Sequence, residues 1–528
     1  MTFQRLFSLL LLLSFFCVTA QAQTQLVGTD TTDIVEILPG VKKLNIVKQA
    51  DGTDLQILVG NVRLRQGGTL FSSDSCVLNS SAKTFSAFGN VHINEGDTSQ
   101  VWSNRLLYHY DKKYAYLTGN VRLTDGRGTL TTNNLEYDVA RKIGIYKNGG
   151  KVVNNKTTVT SQEGTYYADI NDVYFKRNVL MKDPANTIKT DSILYNTEMR
   201  TARFISRTTI TDTSGRRIVT TAGTYNELTG QADFTERTTI VDKSLTVTGD
   251  EIKSDNETGN IQIRGRGVLI DTAKGISILA NSIFANRKSE AFLATQKPLM
   301  IVKQEKDSIY IAADTLFSAR LSDLFVDTSK GAKKPSPNDS TNRYFEAYRN
   351  VRVFSDSVQS VSDSLFYSFK DSVFQLFQDP VVWSRKSQVT GDTIYIHTKN
   401  KQPTFIKVIE NSFMVTEVEP RVYNQIKSSN MNGFFKEGLL DSVRARGAAE
   451  SIYFVQNKDS AFTGVNQTQS DAIDIYFDKG ELYKVVLRSA VKGTLYPIKY
   501  KSPGEMRLPE FQWLDARRPK TKYELFEF

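Results

Sequence analysis

The chain is poor in the side chains that carry covalent and metal chemistry: its 528 residues include 2 cysteines, 3 histidines and 3 tryptophans. Cys17 falls in an N-terminal apolar run, so Cys76 is the one thiol of the remainder, and a single thiol excludes an internal disulfide framework. His92, His109 and His397 are far apart, and none stands in a metal-ligand spacing such as His-Glu-x-x-His. There is no Gly-x-Ser-x-Gly elbow, no P-loop and no dinucleotide fingerprint. The sequence thus offers no catalytic residue, no metal site and no cofactor. Beyond the N-terminus no apolar run approaches the roughly 20 residues that a bilayer-spanning helix needs. Sustained helical periodicity is hard to find before residue 430.

Residues 1–22 read as a secretory signal peptide: Arg5 gives a positive start, Leu6 to Phe16 is apolar, and Ala20-Gln21-Ala22 fits a cleavage site. The mature chain is expected to begin at Gln23 and to be exported. A signal anchor would need a longer apolar run, and the bulky Phe16 argues against lipidation at Cys17. The formal net charge of +10 favours polyanionic partners, phosphorylated lipid or anionic polysaccharide, and export argues against nucleic acid. Solubility is the plainer account of the same excess.

What the chain does have is repetition. Gly60-Asn61-Val62, Gly89-Asn90-Val91 and Gly119-Asn120-Val121 recur at about thirty residues. A second phrase keeps time with them, a small residue followed by Asp or Asn: Ser73-Asp74, Ser103-Asn104, Thr132-Asn133, Thr190-Asp191, Gly249-Asp250, Ala280-Asn281, Ala313-Asp314, Ser362-Asp363 and Gly391-Asp392. A unit copied along a chain implies stacked rungs, each burying its apolar face on its neighbours.

Within a rung the apolar residues alternate. Phe85, Ala87, Gly89, Val91 and Ile93 share one parity and Ser86, Asn90, His92 and Asn94 the other; Ala115, Leu117, Gly119, Val121 and Leu123 repeat the pattern. A period of two predicts half-buried strands. The third rung reads as a strand over 115–123, a turn at Asp125-Gly126-Arg127-Gly128, and short strands over 129–132 and 135–138. The recurrent Asp or Asn is expected to cap the backbone as an Asx-turn; calcium is the alternative, but each rung supplies one ligand rather than a cluster. Glycine within the strand allows a bend or a close backbone approach.

The inward parity collects Val62, Leu64, Leu70, Phe85, Val91, Ile93, Leu117, Val121, Leu123, Leu130 and Leu135. Such a stripe is either a filled core or the lining of a trough. Residues 23–326 are read as repeats, 327–342 as an exposed linker or loop insertion, 343–425 as further rungs, and 426–528 as a C-terminal β region. Pro497, Pro503, Pro509 and Pro519 predict an irregular tail.

The repeated Gly-Asn-Val with its Ser-Asp-x-Leu-x-Tyr partner, as in Ser362-Asp363-Ser364-Leu365-Phe366-Tyr367, resembles the OstA-like family, the LptA and LptD periplasmic-domain type, best over 50–320 and again over 344–400. Residues from Ala448 to Phe454 resemble the C-terminal region of long Bacteroidota-type members. The resemblance implies an all-β, elongated antiparallel β-jellyroll whose apolar trough shelters acyl chains of lipopolysaccharide or a related anionic lipid in the periplasm. The inward residues above are then lipid-groove candidates, and Arg63, Arg65, Arg122 and Arg127 are candidates for phosphate contact. Implied partners are Lpt-type envelope proteins, docked by edge-strand addition, and further copies joined head to tail. The rival readings are a structural β-solenoid that binds protein or glycan, and a polysaccharide-acting β-helix enzyme with carboxylates on adjacent rungs.

Overall fold

Period-two alternation does give strands, and the described pairings between Glu36 and Pro497 are antiparallel. The structure, a computed structural model, describes residues 34–526 apart from 97–98, 304–307, 325–338, 340, 400–401, 437–438, 458–460, 479–480 and 502. The signal segment 1–22 and most of the linker expected at 327–342 lie outside the described residues. Among the described residues the α-helix is confined to Leu321–Leu324. Two compact units form, one from residues up to 125 with 134–142, the other from 126–133 with 143 onward.

In the first unit β1 (Glu36–Ile37) and β2 (Lys43–Lys48) both pair with β3 (Asp54–Gln66). From there β3 pairs with β4 (Thr69–Asn79), β4 with β5 (Thr84–Asn94), β5 with β6 (Gln100–His109) and β6 with β7 (Tyr114–Thr124). Strand β8 (Gly128–Asp138) is one element where two short strands were expected, and it is divided between the units.

The repeated phrases make the bend in each strand. Gly89 and Asn90 both have positive φ, 75° and 45°, as do Gly60-Asn61 and Gly119-Asn120. At Gly60-Asn61 and Gly89-Asn90 the register with the next strand jumps, from Val59 to Val62 and from Phe88 to Val91. Two left-handed residues in succession form a bulge that turns the strand and divides it into two arms. A Cβ on Gly89 would lie 2.4 Å from Asp74 Oδ2, and Asn90 Nδ2 donates to that same oxygen at 2.9 Å. The Gly-Asn and Ser-Asp phrases are therefore two halves of one corner.

The second unit repeats the corner chemistry. Asn350 Nδ2 donates to both Asp314 oxygens at 3.1 Å, and Asn411 Nδ2 to those of Asp392 at 3.0 and 3.1 Å. At Gly265-Arg266 the guanidinium takes the amide's part, with Arg266 Nε donating to Asp250 Oδ2 at 2.9 Å. The expected Asx-turns occur elsewhere, at hairpin ends: Asn79 Oδ1 accepts from Ala82 N–H and Asn226 Oδ1 from Leu228 and Thr229 N–H.

Four long strands, Gln402–Glu419, Val422–Lys436, Leu439–Gln456 and Phe462–Asp478, follow Thr393–Lys399. After Lys492–Pro497 the described chain has no further strand and runs through 3-10 turns to Phe526.

Candidate functional site

Because the corner fixes which residues follow it, the inward parity lines up from strand to strand. In the first unit one arm carries Leu64, Phe71, Ile93, Val101 and Leu123 as successive cross-strand partners. The other carries Leu58, Cys76, Ala87, Leu106 and Leu117. All ten are buried.

The second unit has two such columns of its own. One runs Leu130, Val152, Val159, Met181, Ile188, Ile210 and Ile218, and continues through Ile278, Met300 and Ile311 to Met414 and Ile426. The other runs Tyr146, Gly164, Phe175, Ile193, Phe204, Gly223 and Phe234, and later Val408, Met431, Ala445 and Ile473. Large and small alternate there: a Cβ on Gly164 would lie 2.4 Å from the Tyr146 ring. The first column is interrupted by the buried Ser360 and turns polar at Ser451 and Thr468, whose hydroxyls meet at 2.7 Å.

Of the sequence candidates, Val62, Leu64, Phe85, Val91, Ile93, Leu117, Val121, Leu123, Leu130 and Leu135 are buried. Leu70 is the exception. The hairpin at Gly67-Gly68 sets it opposite Arg65, on the outward parity and half-buried, and Phe71 takes the inward place. Arg63, Arg65, Arg122 and Arg127 are exposed. Arg122 lies over the Trp102 ring at 4.3 Å, and Arg127 Nη1 pairs with Glu198 at 2.8 Å.

The interior of the first unit is occupied by its own side chains. Phe71 on one arm meets Phe85 and Tyr108 on the other, at ring-centroid distances of 5.2 and 4.7 Å. Burial pushes the Cys76 thiol up to about 12, which keeps it protonated and unreactive.

The free ends of the arms are laced together by the tyrosine of the Leu-x-Tyr phrase, a role that the sequence reading missed. Tyr108 Oη donates to Gln66 Oε1 at 2.7 Å, and Gln66 Nε2 donates to Tyr110 C=O at 2.7 Å. Tyr137 Oη donates to Glu95 Oε2 at 3.0 Å. In the second unit Asn154 Nδ2 donates to Thr197 C=O at 2.6 Å beside Tyr195, and Asn186 Nδ2 to Tyr225 Oη at 2.8 Å. The signal was the fixed step from the recurrent Asp to Tyr, but nothing in the spacing named its partners. Burial also raises Glu227, against the lowering influence of Thr157 and Arg200, which hydrogen-bond it.

Among the described residues no three His, Cys, Asp or Glu side chains gather into a metal site. A recess of about 660 Å³ in the second unit, lined by Asp314, Asn350, Arg352, Asp363 and Arg517 among others, is mainly polar and lies beside the Asp314–Asn350 corner. No described helix is long and apolar enough to cross a membrane.

Comparison with curated proteins gave no match. Residues 37–184 and, overlapping them, 173–250 match the family model described as OstA-like protein. A second match that begins inside the first is what a repeating unit produces. Residues 37–250 of this chain belong to the OstA-like family.

Proposed function

We propose that the chain is a periplasmic carrier that shelters the acyl chains of lipopolysaccharide, or of a related anionic lipid, between its two arms during export to the outer membrane. The observation that carries this reading is the pair of inward apolar columns, in a chain whose residues 37–250 are OstA-like. Each methylene moved from water into such a lining gains about 0.8 kcal/mol. The arms touch and their free ends are laced, so lipid enters by parting them, and the displaced core contacts set the cost of entry. Arg63, Arg65 and Arg122, all outward, supply phosphate contacts beside the mouth. The exposed Leu44 and Ile46 of β2 support docking of Lpt-type envelope proteins or of further copies by strand addition. No catalytic step belongs to this function.

The filled interior also favours a second reading, a structural β-solenoid that binds protein or glycan with its outer faces. The two separate in living cells by placing a photo-crosslinking residue at Val91, Val121 or Leu123, with Arg122 and Thr124 as outward controls. Adducts to lipopolysaccharide confined to the inward sites are expected of a carrier. Their absence from every inward site, in folded and exported protein, removes the carrier reading.

A further inference from the structure

On the early strands of the second unit one outward row is polar: Thr158, Lys182, Thr187 and Thr211 are successive partners. From Leu299 onward the same parity on the same arm becomes apolar, with Ala312, Val361, Val381 and Trp383. Strands there are buried on both faces, as at Val381, Val382 and Trp383 or Phe413, Met414 and Val415. Their inward side chains, Val382 and Met414, are buried. The C-terminal segment covers the outward face.

That segment runs back along the strands and is gripped by glutamines spaced along them. Gln425 Nε2 donates to Met506 C=O at 3.0 Å, and Gln425 Oε1 accepts from Leu508 N–H at 2.8 Å. Gln388 repeats the grip, with Nε2 to Gln512 C=O at 2.9 Å and Oε1 from Leu514 N–H at 2.7 Å. Gln359 Oε1 accepts from Arg518 Nε and Nη2 at 2.9 and 2.6 Å. All three glutamines are buried. Between the grips, Met506 and Leu508 pack on Val415 and Ile452, Leu514 on Val361 and Trp383, and Leu525 on Leu299 and Phe354.

We propose that this outward strip is a receptor for a peptide, and that Met506–Phe526, extended at the two backbone grips and turned at Asp515–Arg517 and Lys522–Leu525, is its resident and exchangeable occupant. A glutamine amide sets N–H donors beside a carbonyl acceptor, and at Gln388 and Gln425 these match C=O of one residue and N–H of the second residue after it, as a neighbouring strand does. At Gln388 and Gln425 the grip reads backbone and ignores side-chain identity, whereas Gln359 reads the Arg518 side chain. Selectivity falls to Arg518 and to the apolar residues that enter the strip, Met506, Leu508, Leu514 and Leu525. The strip lies on the opposite face of the strands from the inward columns, so this proposal stands apart from lipid carriage and survives its failure.

The test uses the full chain with a protease site inserted after Lys501. The nicked protein is mixed with a fluorescent synthetic peptide covering residues 503–528, and exchange is read by anisotropy and gel filtration. Stoichiometric replacement of the resident segment is expected, with the β-sheet circular dichroism retained. A peptide carrying Leu508→Asp and Leu514→Asp is expected not to enter, whereas one altered only at solvent-facing positions does. Replacing Gln388 and Gln425 by Leu is expected to weaken the peptide about tenfold per glutamine; the peptide variants decide the matter should that protein not fold. Three results overturn the proposal: the segment never exchanges, it leaves and no peptide enters, or nicking unfolds the chain.

Discussion

At the scale of single residues, the corner is what the sequence repeats, and it shows why two phrases had to keep time. Gly89 is needed twice over, for its φ of 75° and for the room it leaves to Asp74, since a Cβ there would lie 2.4 Å from Oδ2. Gly96 has the same φ of 75°, and among the described residues nothing lies within 4 Å of its Cβ position. The pair separates backbone strain from lost space. Gly96→Ala is expected to destabilise the chain by about 1 kcal/mol, the strain alone. Gly89→Ala is expected to lose about 1–2 kcal/mol more, and Asp74→Ala in the same chain to recover part of that. Denaturant midpoints at constant slope measure both, and equal losses at the two glycines would show that Asp74 does not fill the corner. The spacing of the phrases revealed that each residue recurs. It did not reveal that Asp74 and Asn90 meet, because their contact crosses from one strand to the next and depends on a register that spacing alone leaves open.

At the scale of the strand, parity was legible because the outward positions of the early rungs are strongly polar, Arg63, Arg65, His92 and Arg122 against Leu64, Ile93 and Leu123. It failed at Leu70 because the two-residue turn at Gly67-Gly68 reverses the chain, so Leu70 must pair with Arg65 and share its face. The lacing of the arms was hidden for a similar reason: Tyr108 finds Gln66 across the mouth, 42 positions back, and a tyrosine on an apolar stripe reads as core until its hydroxyl has a partner. If lipid enters by parting the arms, these bonds are part of the barrier. Tyr108→Phe with Tyr137→Phe is expected to lower stability by about 1 kcal/mol per lost bond, and to raise lipopolysaccharide crosslinking at Val91 and Ile93 severalfold. A fall in stability with crosslinking unchanged would mean that the lacing only holds a core together and that lipid does not pass it.

At the scale of the whole molecule, the charge excess of +10 is uninformative until its members are located. Many are engaged: Arg127 with Glu198, Arg237 and Arg266 with Asp250, Arg446 and Arg488 with Asp474, and Arg518 with Gln359. The proline-marked tail was foreseen as irregular, but its place was not, because the glutamines that hold it are isolated in sequence and carry no pattern. What distinguishes a carrier from a basic surface is then which part of an amphipathic anion the protein recognises. Attraction between exposed charges is screened within about 10 Å at 0.1 M salt, whereas burial of acyl chains is not weakened by salt. Binding of lipopolysaccharide to the purified chain is expected to fall by less than about tenfold between 0.05 and 0.5 M sodium chloride. Removing the acyl chains while keeping sugar and phosphate is expected to cut affinity by at least about a hundredfold, equal to a few methylenes at 0.8 kcal/mol each. The reverse pattern, strong salt dependence with the deacylated sugar still bound, would assign recognition to the outward arginines and leave the inward columns as core.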